Sequence, residues 1–137
     1  MRKHEVVVDE PKDFGGNDTG PNPIEYVFTG LAGCLNVTAH QVASERGIEI
    51  KELKLKVSGD LDLEGFLDKE SDKRAGFEEI EVTVDIETDA SEDREKEILK
   101  EAEERCPVSD NLQHRTGLKL KINRSTEAVE PAELEKI

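Results

Sequence analysis

The feature of this sequence that most constrains its fold is a run of nineteen uncharged residues, Tyr26–Ser44, in a chain whose formal net charge is -14. The run lies between Pro23 and Gly47. Proline is common in the first turn of a helix and glycine just after its end, so we predict a helix over Pro23–Arg46. A helix packed on one sheet normally keeps a charged outer face. The lack of charge around this helix therefore predicts that both of its faces are covered.

A second copy of the chain is the simplest cover for the outer face of this helix. The chain has 137 residues, of which only 34% are hydrophobic, so one small sheet cannot enclose the helix on every side. Gly30, Ala32 and Gly33 would permit close backbone approach between helices. The same run contains too many polar residues, such as Asn36 and Gln41, to cross a membrane. We therefore predict an obligate homodimer.

Alternating apolar and polar residues predict the strands of the fold. Apolar residues occupy the odd positions of Leu53–Leu63 and the even positions of Ile80–Ile86, and the charged segment Phe66–Gly76 between them is a predicted hairpin loop. Three consecutive valines within Glu5–Asp9 predict a first strand, and Leu118–Ile122 predicts the last. Each of the two central strands should bury one face.

A second helix is predicted between the central strands and the last one. Asp89 or Ser91 would cap it, acidic residues occupy its first turn, and Pro107 would end it. The apolar stripe of this helix consists of Ile98, Leu99, Ala102 and Cys106. The order strand, helix, strand, strand, helix, strand indicates an α+β fold with an antiparallel sheet. We predict a single domain over residues 1–137, with a polar tail over about 125–137.

Charge and residue usage exclude several classes of partner. The segment Val57–Ile137 holds 24 acidic and 12 basic residues, and no basic patch interrupts it, so we expect no nucleic-acid partner and no membrane partner. No secretion signal opens the chain, which predicts a cytoplasmic protein. Three scattered histidines, His4, His40 and His114, make no metal site, and we expect His40 to be buried and hydrogen-bonded.

The two cysteines, Cys34 and Cys106, match neither a zinc pattern nor a dense disulfide framework. In a reducing compartment they are either buried structural thiols or a redox pair. Their spacing in the sequence does not choose between these alternatives.

Three motifs link the chain to a known family: GPNPIEYVFTGLAGC at Gly20–Cys34, RAGF at Arg74–Phe77 and CPVSDNL at Cys106–Leu112. Together with the order of elements they resemble the OsmC/Ohr family of osmotically inducible and organic hydroperoxide resistance proteins. The resemblance runs from His4 to about Arg124. It implies an intertwined α+β homodimer with two long central helices back to back.

The resemblance also implies an activity, the thiol-dependent reduction of hydroperoxides, preferentially organic ones. Cys34 would attack the peroxide, and Cys106 would resolve the resulting sulfenic acid as a disulfide. The resemblance implies no cofactor, but turnover would need a thiol or dithiol reductant.

The activating groups of the family have only weak counterparts in this chain. Family members place an arginine on an N-terminal strand, held by a glutamate at the start of the central helix. Here Arg2 and Lys3 are the only cations before the first predicted strand, and the glutamate position is Ile24, with Glu25 one residue later. Glu25 would equally serve as a first-turn acid that favours the helix dipole. Arg105, beside the second cysteine, is another possible source of positive charge.

A second interpretation therefore stays open. An OsmC-fold dimer without the peroxidase arginine would bind a small apolar or thiol-containing ligand and have no peroxidase activity. A third is that both cysteines are structural.

Overall fold

A computed structural model describes residues 2–122 of the chain, and the polar tail predicted over about 125–137 lies outside them. The described part is α+β, as predicted from the sequence. A short 3-10 turn at Lys12–Phe14 precedes the main elements. These are α1 (Pro23–Glu45), β1 (Ile50–Leu61), α2 (Glu64–Leu67), β2 (Phe77–Thr88), α3 (Glu92–Arg105) and α4 (Pro107–Gln113).

Helix α1 begins and ends at the residues that the sequence predicts, to within one position. The side chain of Asn22 accepts a hydrogen bond of 2.9 Å from the Glu25 backbone N–H, and the Glu25 carboxylate accepts one of 2.8 Å from the Asn22 N–H. This reciprocal capping box satisfies two backbone donors that the first turn otherwise leaves free. After Glu45 the chain turns at Gly47, whose φ of +67° lies in the left-handed region that glycine adopts without strain.

The two central strands pair as an antiparallel hairpin, which is the sheet that the alternating residues predict. Leu53 lies opposite Ile86, and Val57 lies opposite Val82, so the apolar side chains share one face. Helices α1 and α3 pack together beside this face, where α1 also contacts β1. The buried cluster between these elements consists of Ala39, Val42, Ala43, Ile48, Ile98 and Ala102.

The two outer strands predicted from the sequence are wrong for the described chain. Neither Glu5–Asp9 nor Leu118–Ile122 belongs to a sheet, and the sheet found within residues 2–122 has two strands. A β-branched or alternating segment becomes a strand only where a neighbouring strand pairs with its backbone. The carbonyl of Val7 instead accepts a hydrogen bond of 2.5 Å from the Tyr26 hydroxyl.

Three further boundaries differ from the prediction. Helix α2 includes the first two residues of the segment that we predicted to be a hairpin loop, Phe66–Gly76. Ser91 is the N-cap residue of α3, whereas the Asp89 carboxylate accepts a hydrogen bond of 3.1 Å from the Glu49 N–H. Pro107 ends α3 as expected, but it also begins α4.

Within the described residues 2–122, nothing covers the outer face of α1. Val37 is 70% exposed, and a Cβ atom built at Gly30 or Gly33 would meet no atom within 4 Å. His40, which we predicted to be buried, is also exposed on this face. The second subunit predicted to cover the helix therefore stays a prediction. Among residues 2–122, no helix has both the length and the apolar character needed to cross a lipid bilayer.

Candidate dithiol site

The two cysteines, far apart in the sequence, are neighbours in the fold. Cys34 lies in the middle of α1, and Cys106 lies at the junction of α3 and α4, close enough to Cys34 for that side chain to raise the Cys106 pKa. They differ in exposure: Cys106 is fully buried, whereas Cys34 is half-buried. Both are free thiols. The fold thus places one accessible thiol against one enclosed thiol.

The packing of α3 on α1 brings the thiols together. Arg46, just after the end of α1, pairs with Glu97 and Glu101 of α3, while Cys34, earlier in α1, meets Cys106 after the end of α3. Cys106 continues the apolar stripe of α3, one and two turns beyond the buried Ala102 and Ile98. The stripe that the sequence predicts for α3 is confirmed, Cys106 included.

The surroundings of Cys106 oppose its ionisation. Burial raises the pKa of the Cys106 thiol, and the adjacent Cys34 side chain raises it further by hydrogen bonding and by charge. The Ser109 backbone N–H, 3.4 Å from the Cys106 sulfur, acts in the opposite direction together with the Val108 N–H, but these two contributions are smaller. Reduced Cys106 is therefore a neutral thiol at neutral pH.

We expect the formation of a Cys34–Cys106 disulfide to depend on pH in a way that follows from this pKa. The thiolate is the nucleophile, and burial, the largest cause of the raised Cys106 pKa, persists after Cys34 is oxidised, so the closure rate should rise about tenfold per pH unit through the neutral range. Rapid mixing of the oxidised intermediate with buffers between about pH 6 and pH 10 measures this. A rate that levels off near neutral pH would contradict the assignment of Cys106 as the attacking thiol.

Neither of the weak candidates for activating Cys34 contacts a thiol in this structure. The Glu25 carboxylate is engaged in the capping box with Asn22. Arg2 is exposed in a turn, with a φ of 51°, and within residues 2–122 no guanidinium hydrogen bonds to Cys34 or Cys106. The structure thus brings together the two cysteines but not Arg2 or Glu25.

Arg105, beside Cys106 in the sequence, pairs with carboxylates instead of the thiols. Its Nη1 and Nη2 atoms lie 2.7 Å and 3.0 Å from the two carboxylate oxygens of Glu45, and Nη1 lies 2.9 Å from Glu101. Hydrogen bonds from Arg105 and from Gln41 hold the pKa of Glu45 at about 2. The guanidinium is therefore committed to the contact between α1 and α3.

Sequence reasoning missed Ser109 and the helix that contains it. Ser109 is buried, and its hydroxyl oxygen accepts a hydrogen bond of 2.9 Å from Gln113. A signal for α4 was present: Cys106-Pro107 repeats the pattern of Asn22-Pro23, a capping residue followed by proline at the first helical position. A proline can follow the end of one helix and also occupy the first turn of the next. The prediction from the sequence took Pro107 only as the end of a helix.

An apolar cavity of about 720 Å³ lies between α1, the inner face of the sheet and helices α3 and α4. Its lining includes Ser109, whose backbone N–H lies 3.4 Å from the Cys106 sulfur, and Leu35, the residue after Cys34 in the sequence, but neither cysteine itself. The other lining residues are mostly aliphatic, among them Leu31, Leu53, Val82, Leu99 and Leu112. Among residues 2–122, no three metal-ligating side chains cluster together.

Fold and site together define a two-cysteine α+β protein in which the thiols meet where a long central helix contacts a second helix. The chain belongs to the family described as OsmC-like protein, whose model matches residues 15–121. This confirms the resemblance seen in the three motifs.

Individual relatives agree with this membership. The chain is 30% identical over 104 residues to a hydroperoxide reductase of Mycoplasma pneumoniae, covering 76% of this chain and 70% of that protein. It is 29% identical over 119 residues to the organic hydroperoxide resistance protein OhrB of Bacillus subtilis, covering 86% and 79%. The crystal structure of an OsmC-like protein from Mycoplasma pneumoniae superposes with a TM-score of 0.70 at 27% identity, covering 82% of this chain and 74% of that one.

Proposed function

We propose that this chain is a thiol-dependent hydroperoxide reductase in which Cys34 attacks the peroxide and Cys106 resolves the product as a disulfide. The observation that carries the proposal is the proximity of a half-buried thiol, Cys34, to a fully buried one, Cys106. A peroxide can reach Cys34 from solvent, whereas Cys106 is enclosed. Membership of the OsmC-like family and the names of the two relatives support the same role in hydroperoxide resistance.

The reaction balances in two steps on these residues. The Cys34 thiolate attacks one peroxide oxygen, the O–O bond breaks, and the alkoxide leaves as an alcohol after taking a proton. Cys34 is then a sulfenic acid. The Cys106 sulfur attacks the Cys34 sulfur, the S–S bond forms, and the S–O bond breaks to release water with the proton from Cys106. An external thiol or dithiol then reduces the disulfide.

Oxidation of Cys34 also prepares the second step. The hydrogen bond and the charge that Cys34 directs at Cys106 contribute to the raised pKa of the buried thiol. Both change when Cys34 becomes an uncharged sulfenic acid, so ionisation of Cys106 becomes less costly at the moment when its thiolate is needed. The Ser109 N–H, 3.4 Å from the sulfur, is already in place to stabilise the anion.

The cavity beside the thiol pair favours organic hydroperoxides over hydrogen peroxide as substrates. Its walls are largely aliphatic, and Leu35 next to Cys34 is one of them. Burial of an alkyl or aryl group there would contribute binding energy that hydrogen peroxide cannot gain. We therefore propose a small organic hydroperoxide as the substrate class.

The working form that we propose is a homodimer. The uncharged outer face of α1 has no cover among residues 2–122, and four of its residues are exposed: Gly30, Gly33, Val37 and His40. A second copy would bury this face against its own α1 and would offer a strand partner to Glu5–Asp9, which belongs to no sheet here.

One observation favours a second candidate, a dimer that binds a small apolar or thiol-containing ligand without reducing peroxides. The guanidiniums of Arg46 and Arg105 are both held by carboxylates of α1 and α3, and neither reaches a thiol. A neighbouring cation is a common means of activating a nucleophilic cysteine, and neither of these two guanidiniums is placed to act on Cys34.

A peroxidase assay separates the two candidates. Reduced protein is mixed with cumene hydroperoxide or with hydrogen peroxide in the presence of a dithiol reductant, and peroxide loss and free thiols are followed. The proposed function predicts peroxide loss that is faster with cumene hydroperoxide and depends on Cys34. If neither peroxide oxidises Cys34 at micromolar concentrations, the binding function replaces the enzymatic one.

A further inference from the structure

The most extensive ion-pair network in the described residues lies at the α1–α3 contact, close in sequence to the second cysteine. It contains two arginines, Arg46 and Arg105, and three glutamates, Glu45, Glu97 and Glu101. Gln41 extends it with a hydrogen bond of 2.9 Å to Glu45. None of these residues touches the thiols, so the chemistry described above does not use them.

The geometry of Arg105 sets this network apart from ordinary surface ion pairs. Two nitrogens of the Arg105 guanidinium donate hydrogen bonds to the two carboxylate oxygens of Glu45, with N–O distances of 2.7 Å and 3.0 Å. Isolated exposed pairs contribute little to stability, but a bidentate arginine within a network fixes both distance and direction. The raised pKa of Arg105 and the lowered pKa of Glu45, both caused first by this hydrogen bond, agree with a persistent pair.

The position of Arg105 determines what this pair can do. Arg105 is the last residue of α3, and Cys106 follows it directly. Glu45 is the last residue of α1, the helix that contains Cys34. The pair therefore fixes how far α3 extends along α1, and with it the place where the Cys106 sulfur meets Cys34.

The geometry points to Arg105 as a positioning residue that, by bridging Glu45 and Glu101, holds Cys106 at the distance from Cys34 at which the disulfide closes. This inference rests on the proposed function, because it assigns a residue to the resolving step. Arg105 acts through the α1–α3 register and not on the peroxide. It should therefore affect closure of the disulfide and leave oxidation of Cys34 unchanged.

The main experiment measures the two steps separately in the full-length Arg105→Gln variant. Oxidation of Cys34 by cumene hydroperoxide is timed in a Cys106→Ser background, where closure cannot occur. Closure is timed with Cys106 present, by trapping the remaining sulfenic acid with dimedone. We expect closure to slow about tenfold, since a small displacement of reacting atoms carries a cost of this order, with Cys34 oxidation within about twofold of the parent rate.

Three further variants make the result specific. Arg105→Lys keeps the charge but loses the fork, so it should restore closure only in part. Lys96→Gln is the matched control: it removes an exposed 3.0 Å ion pair with Glu92 on the same helix, remote from Glu45 and Cys106 in the sequence, and should close at the parent rate. Glu45→Gln removes the same bidentate pair from α1 and should match Arg105→Gln, which keeps the test available if one variant fails to fold.

An equilibrium measurement tests the inference even if the protein is not a peroxidase. Titration with mixtures of reduced and oxidised glutathione measures the effective concentration of the Cys34 thiol relative to the Cys106 thiol. This effective concentration should fall about tenfold in Arg105→Gln. Because Arg105 and Glu45 are 41% and 44% exposed, salt reaches the pair, so about 1 M NaCl should lower the value in the parent and not in the variant.

The inference is overturned if Arg105→Gln and Lys96→Gln have the same closure rate and the same effective concentration as the parent. It is equally overturned if Arg105→Gln slows oxidation and closure by one common factor, since a general loss of structure would do that. If peroxide fails to oxidise Cys34 in the parent while the glutathione values change as expected, the proposed function is wrong and the positioning role of Arg105 stands.

Discussion

Replacing Cys34 with serine is expected to reduce peroxide consumption by at least about a thousandfold, the largest effect of any single substitution in this chain. A serine hydroxyl ionises far less readily than a thiol and cannot form a sulfenic acid, so no intermediate remains for Cys106 to resolve. Stopped-flow mixing with cumene hydroperoxide measures the loss. Because Cys34 is only half-buried and the exchange is nearly isosteric, the fold should be retained.

Cys106→Ser is the matched variant for this prediction. It should consume about one equivalent of peroxide at the parent rate and then accumulate the sulfenic acid of Cys34, because the first step does not need Cys106. Mass spectrometry after dimedone trapping distinguishes this outcome from a complete loss. If the two variants exchange behaviours, the attacking and resolving roles have been assigned to the wrong cysteines.

Ile98→Ala is expected to destabilise the protein by about 3 to 4 kcal/mol, the largest stability effect that we predict. Ile98 is fully buried among Ala39, Val42 and Ala102, which are too small or too closely packed to fill the space left by the lost side chain. Small domains are stable by only about 5 to 15 kcal/mol, so such a loss is a large fraction of the total.

Denaturant unfolding at one fixed protein concentration measures this change, since the stability of a dimer would depend on concentration. Leu67→Ala is the control: Leu67 is 71% exposed on α2, and its truncation should change the free energy of unfolding by less than about 0.5 kcal/mol. Equal losses in the two variants would mean that the α1–α3 contact is not the centre of the core.

Elements with strong local signals were predictable from the sequence. Asn22-Pro23 and Gly47 mark the ends of α1 through capping and backbone conformation, which depend on residues a few positions apart. The alternation of apolar residues predicted β1 and β2 for the same reason. The outer strands failed because valine-rich or alternating residues show only a tendency to be extended, and the pairing strand has to be supplied by another part of the fold.

The sequence could single out candidate residues for the site but not their geometry. Motifs shared with a family single out Cys34 and Cys106. They do not reveal that the Arg105 guanidinium is engaged by Glu45, because that contact joins residues sixty positions apart in the sequence. Glu25 shows the same limit of sequence reasoning. Its place near the start of α1 fits either an activating group for Cys34 or a first-turn acid. In this structure its carboxylate accepts a hydrogen bond from the Asn22 N–H, which makes it part of the helix cap.

By itself, the sequence determined the long uncharged helix, the central hairpin, the α+β class and the identity of the two thiols, since each depends on residue type and short-range periodicity. Only the tertiary structure decided that the thiols touch, that Cys106 is the enclosed one and that Arg105 faces carboxylates. Burial and hydrogen bonding are properties of what surrounds a side chain. For these residues the surroundings come from a second helix that packs on α1, and the local sequence cannot specify this packing.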